Sequence, residues 1–330
     1  MTSIDATQTH VADFVLVCDE FDAALDYFTT ETGFRLDVIF PADEPRVAVL
    51  TGYGKCLRLQ RDGDMTPVEE APVPSIIVMQ SGKDSWGAGR AGMQYRDLIP
   101  DRLGGQFIAS HIRIQEGGPV PDYVHHHHVR FQMIYCYKGW VRVVYEDQGP
   151  PIVMQAGDCV LQPPHIRHRV LECSAGMEVV EIAGPAEHET FVEHEIPLPT
   201  LPLHPERNFD GQRFVFHQEA ESAWLTAPID GFEARDTGIN VATNGVASVM
   251  VLRAISAGRP GTISHDAAFF FNFVLRGSTT LRCSDDEQWQ LSLGDSFVIP
   301  AGVRFTLENN SIDLELLQVG LPGDFSISSV

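Results

Sequence analysis

Basic residues are scarce in this chain. Its 330 residues hold 23 Lys and Arg against 45 Asp and Glu, a formal net charge of −22. Nucleic-acid binders need clustered cations, and an anionic membrane face repels an acidic surface, so both are excluded as partners. Long apolar runs are missing too: none approaches the ~18–20 residues of a membrane span. The start, MTSIDATQTHVADFVLV, has neither the basic stretch nor the apolar core of a signal peptide, and a cytoplasmic location is expected. The six cysteines, at 18, 56, 136, 159, 173 and 283, form no C-x-x-C pair. That spacing disfavours structural zinc and suits buried, reduced thiols. No P-loop or Ser-His-Asp order is present, and Gly87–Gly92 spells G-x-G-x-x-G without a preceding strand–helix unit. What is there is 44% hydrophobic residues, enough to pack the cores of about two domains at ~150 residues each.

Residues 13–60 read as strand, helix, strand, strand, strand. Phe14–Cys18 is a strand. Phe21, Ala24, Leu25 and Phe28 then recur at helical spacing until Gly33, and Phe34–Phe40, Arg46–Leu50 and Lys55–Leu59 follow as short runs. On the stretch DFVLVCDEFDAALDYFTTETGFRLDVIF this part resembles one module of the glyoxalase/extradiol-dioxygenase (vicinal oxygen chelate) family. That family places metal ligands on the first and last strands. Here those strands offer Ala12 and Asp13, and Arg58 and Gln60, so the expected role is structural or dimer-forming and metal-free. The unpaired module also motivates an expected homodimer.

Acids, prolines and glycines around Ile76–Met79 then suggest a linker. From Tyr95 onward short runs rich in Val, Ile, Tyr and Phe are punctuated by Gly and Pro, the texture of a sandwich or small barrel. After the proline-rich bridge Pro197–Pro205 the same texture returns, so the chain reads as internally duplicated. The expected division is a module at 1–62, a linker at 63–94, one barrel at 95–200 and a second at 201–330.

The densest chemical signal is His125-His126-His127-His128, with Gln132 and Gly139 after it and His165 and His168 downstream. A metal wants imidazoles converging on one point. On a strand, residues two apart share a face, so His125 pairs with His127, or His126 with His128, and a third ligand arrives from a later strand at His168. A solvated strand end is the plain alternative. A purification tag is disfavoured by the position in mid-chain.

At these residues the chain resembles the cupin superfamily. The first cupin motif is met by Gly118, His125-x-His127-x4-Gln132-x6-Gly139, with one residue too many before the first His. The second is met by Gly157-x5-Pro163-x-His165-x2-His168. The resemblance implies a mainly β fold of two cupin (double-stranded β-helix, or jelly-roll) barrels, preceded here by the small α+β module, βαβββ. It also implies a divalent metal on His125, His127 and His168, with Gln132 as auxiliary ligand where the family carries Glu. Fe(II) is the expected ion, with Zn, Ni, Mn or Cu as alternatives. Three neutral histidines leave positions open for an oxygen chelate and O2. The expected function is therefore a dioxygenase acting on a small, anionic aromatic or enol-type substrate; the alternative is a non-redox metal-binding cupin, an isomerase, lyase or small-molecule sensor. In the second round His265-Asp266-Ala267, Phe270 and Phe305 stand where ligands belong, while Gly277, Gly294, Pro300 and Gly302 keep the turns. That barrel is expected to be a metal-free support.

Near the proposed ligands, His165 is a candidate acid or base, and Arg113 a candidate for fixing a substrate carboxylate. Arg130, Arg142, Arg167 and Arg169 lie close by in sequence and suggest a locally cationic pocket. Alternation from Gln132 puts Ile134 and Cys136 on its face. Asp285-Asp286 reads as a hairpin turn.

Overall fold

A computed structural model describes residues 12–41, 43–63, 74–82, 86–255, 261–283 and 287–329. Asp285 and Asp286 lie outside these, as do 64–73 and 83–85 of the expected linker.

The first unit follows its sequence pattern closely. Strand β1 (Phe14–Cys18) leads to helix α1 (Phe21–Asp26), which widens into a π-helical turn over Tyr27–Glu31. Gly33, at φ +76°, reverses the chain into β2 (Arg35–Phe40), β3 (Val47–Gly52) and β4 (Lys55–Arg61). Phe21, Ala24, Leu25 and Phe28 share the helix face that packs on Ala48, Leu50, Leu57 and Leu59. The sheet runs β1-β4-β3-β2, with β1 parallel to β4.

Residues 74–97 differ from the expected linker. They hold β5 (Ile77–Met79), β6 (Gly87–Ala88) and β7 (Gln94–Asp97), all drawn into the barrel sheets. The first barrel continues with β8 (Ile108–Ile114), β9 (Gly118–Pro119), β10 (His125–His127), β11 (Phe131–Lys138) and β12 (Trp140–Tyr145). It closes with β13 (Ile152–Gln155), β14 (Cys159–Leu161), β15 (His168–Cys173), β16 (Met177–Gly184), β17 (Thr190–Val192) and β18 (Val215–His217). One sheet is ordered β17-β10-β15-β12-β13 and the other β18-β14-β11-β16-β8-β7-β6. The N-terminal unit extends the first of these, since β2 pairs with β17 at Val38↔Phe191 and Ile39↔Thr190. Ion pairs between Arg102 and Asp43 (2.6 Å) and between Arg46 and Glu187 reinforce that junction.

The second barrel repeats the first in detail. Gly139 and Gly277 both sit at φ +69°, where a Cβ would meet the hydroxyl of Ser174 or Ser311 at 2.2 Å. Those hydroxyls accept from the backbone N–H of Trp140 and of Ser278. Asp158 and Asp295 cap equivalent turns, accepting from the N–H groups of Gln155 and Ser292 at 2.8 Å each.

The barrels also exchange strands. Strand β5 pairs with Ser296–Val298 of the second barrel, while β18, from beyond the proline-rich bridge, pairs with β14 of the first. Between them lies a common core in which Phe131, Met133 and Tyr135 meet Phe269, Phe271 and Phe273. Inside the second barrel, Phe270 and Phe305 fill the middle and His265 stacks on Phe270 at 4.1 Å.

Candidate metal centre

Strand alternation decides what enters the first barrel. On β10, His125 and His127 are buried and face inward, and His168, at the start of β15, lies directly opposite His125 in the ladder. Ring centroids are 5.1 Å apart for His125 and His127, 4.3 Å for His125 and His168, and 5.3 Å for His127 and His168. One nitrogen from each of the three lies within 4.8 Å of the other two, the spacing of a metal-ligand set.

The second nitrogen of each ring is held from behind. His125 Nδ1 donates to the carbonyl of Tyr123 at 2.8 Å, and His168 Nδ1 to that of Ile166 at 3.1 Å. His127 Nδ1 engages Oγ1 of Thr190 at 2.9 Å. A carbonyl can only accept, so in His125 and His168 the proton sits on Nδ1 and Nε2 carries the lone pair open to a metal. Asp122, buried 3.7 Å from His125 Nδ1, accepts from the Val170 N–H at 3.0 Å and anchors the two ligand strands together. This donor set fits a divalent ion: three neutral imidazoles, oriented by carbonyl and hydroxyl groups, in a buried site.

The other histidines of the run turn away. His126 stacks on Phe191 at 5.2 Å, and burial, with Arg167 next in effect, lowers its pKa to about 4. His128 is exposed, 3.6 Å from Glu189. The structure thus brings together the His125 and His127 register, not His126 and His128.

Gln132 also lines the cavity, with its amide engaged by a carboxylate. Its Nε2 donates to Oε1 of Glu181 on the adjacent strand β16 at 2.5 Å. Glu181 stands opposite Ile134, one diagonal step from Gln132. Both line a partly open cavity with the three histidines. Ile112, Ile134, Val143, Met154, Met177 and Val179 form much of its wall, and Cys136 packs in the same apolar cluster. Burial raises the Cys136 thiol pKa to about 12, and the side chain belongs to the core behind the wall rather than to the cavity lining. Tyr145 lines the cavity as well, its hydroxyl accepting from Gln162 Nε2 at 3.0 Å.

Two candidates are not part of this arrangement. His165 turns outward on the loop before β15, 3.3 Å from Asp210 and 5.1 Å from the His128 ring; burial, chiefly, lowers its pKa. Arg113 alternates out of the barrel, donating to Gln94 at 2.8 Å and stacking 3.9 Å over Trp86. The expected cationic pocket is corrected on the same ground. Arg142 pairs with Glu172, Arg167 with Glu146 and Glu193, and Arg130 is exposed. Arg142 and Arg169 each neighbour an inward residue on a strand, so the period of two sends them outward.

Sequence reading missed Glu181, Thr190, Tyr145 and Gln162. Glu181 left one trace: within MEVVEIAG it shares the parity of Met177 and Val179, an acid on an otherwise apolar inward face.

Comparison with known proteins gives the same fold. Residues 110–182 match the family described as Cupin domain. This segment is similar to a cupin domain. Among solved structures, oxalate decarboxylase from Bacillus subtilis at pH 4.6 superposes on the chain with a TM-score of 0.57 at 12% identity, covering 79% of this chain and 80% of that one. The same enzyme in the form used to assign EPR parameters to its Mn(II) centres matches with the same TM-score and identity, over 79% of this chain and 81% of that one. At this identity the likeness is one of fold, a mainly β chain of two cupin barrels. No curated protein matches the chain.

Proposed function

We propose that the first cupin barrel is the metal-dependent active site of a non-redox enzyme, a lyase or isomerase working on a small oxygen-chelating molecule. The observation that carries this reading is the pairing of three oriented imidazoles with one carboxylate, Glu181, in a cavity with mostly apolar walls. His125, His127 and His168 would hold the ion. A divalent metal bound there supplies Lewis acidity, polarising a chelated oxygen of the substrate. Glu181 is the group suited to accept a proton from that substrate, and Gln132 holds its carboxylate in place. The walls are mostly apolar. The N-terminal unit has a structural role, bracing through β2 the strand that carries Thr190.

A dioxygenase using Fe(II) and O2 is the second reading. It is favoured by one feature: the tight ligand cluster consists of histidines alone, with no carboxylate among them. Metal analysis and oxygen uptake separate the two. The freshly purified protein should carry about one divalent ion per chain, and His168→Ala should lose it. Loaded with Fe(II) or Mn(II) and offered catechols and hydroxybenzoates in air, the protein should consume no O2. Uptake dependent on Fe(II) would establish the dioxygenase instead, and unchanged metal content in His168→Ala would remove the ligand assignment.

A further inference from the structure

The cavity has a charge pattern that restricts its substrate. Among the described residues lining it, none is Lys or Arg, and Glu181 is the one carboxylate. Arg113 and Arg142, on strands that also line the cavity, are committed outside it, on Trp86 and on Glu172. A substrate carboxylate entering this space would meet no cation besides the metal. It would also lie close to Glu181 in a medium of low dielectric, where like charges repel far more strongly than in water. A hydroxyl would instead find in Glu181 a fixed acceptor, because Gln132 occupies one of its oxygens and orients it. The walls, with Ile112, Val143, Met154 and Val179, reward an apolar body.

From this we infer that Glu181 is the specificity-determining residue of the site. It selects uncharged, apolar-bodied molecules bearing two adjacent oxygens, one of them a hydroxyl, and it rejects di- and polycarboxylates. The inference rests on the metal-site reading above. The net charge of −22 acts in the same direction, since it disfavours the approach of anions at low salt.

Calorimetric titration of the Mn(II)-loaded protein with 4-methylcatechol and with oxalate tests this, with Mn(II) EPR reporting a ligand that reaches the ion. The native protein should bind 4-methylcatechol at least about tenfold more tightly than oxalate. Glu181→Gln, which keeps an acceptor but removes the charge, should move that ratio at least about tenfold toward oxalate. A native preference for oxalate, or an unchanged ratio in a folded Glu181→Gln, overturns the inference. Should that variant fail to fold, the native preference decides alone. Metal loading of His168→Ala is measured alongside. If it equals that of the native protein, the metal-site reading itself falls; if it is lost while oxalate wins, only the role of Glu181 does.

Discussion

Thr190 shows how much of the centre rests on a residue that never faces the metal. It is fully buried on β17, directly across from His127, and its hydroxyl engages His127 Nδ1. Thr190→Val keeps shape and removes that contact. Metal affinity should fall about 10–100-fold, the usual cost of losing a group that orients a ligand, while the melting temperature changes little. Competition against a fluorescent chelator measures it, and unaltered affinity would show that packing alone orients the ring. The histidines were readable because a strand period of two and a motif put three of them on one point. Thr190 and Glu181 were not, because each meets its partner across 63 and 49 residues of chain. Nothing local marks a threonine or glutamate for such a meeting. The arginines failed for the opposite reason: proximity in sequence says nothing about facing when neighbours on a strand point opposite ways.

Strands themselves were legible as short β-branched and aromatic runs between glycines and prolines, and their partners were not. Ile77–Met79 carried a visible apolar patch, yet pairing with Ser296–Val298 is a choice made by the tertiary fold. The same holds for Val215–His217, which lies in the second barrel's share of the sequence and completes the first barrel's sheet beside Cys159–Leu161. Each barrel therefore borrows an edge from the other's flank, and an uncovered edge is a template for aggregation. Residues 95–200 expressed alone should show no cooperative thermal transition by circular dichroism and should aggregate, because they expose that edge together with Phe131, Met133 and Tyr135. A folded monomer with a sharp melt would mean the exchange is dispensable.

On the scale of the whole molecule, the acidic balance describes the outer surface, and the buried titratable groups set how the fold answers to pH. Burial holds His111, His188 and His265 below the usual histidine value, His265 down to about 4. In the unfolded chain these side chains take up protons near pH 6.5. Below that pH the unfolded state binds more protons than the native one, so stability falls as the solution is acidified. For His265 the loss begins near 6.5 and is complete once the pH passes about 4, where the native ring is protonated as well. His265 lies in the second barrel against Phe270, away from the metal centre, and its contribution is therefore separable from metal release. His265→Phe should leave the melting temperature near pH 8 almost unchanged. Between pH 6.5 and 4 the variant should gain steadily on the native protein, giving a shallower acid limb in a pH series of thermal melts. Parallel curves would show that the ring is already protonated within the fold, or that the barrel opens before it matters.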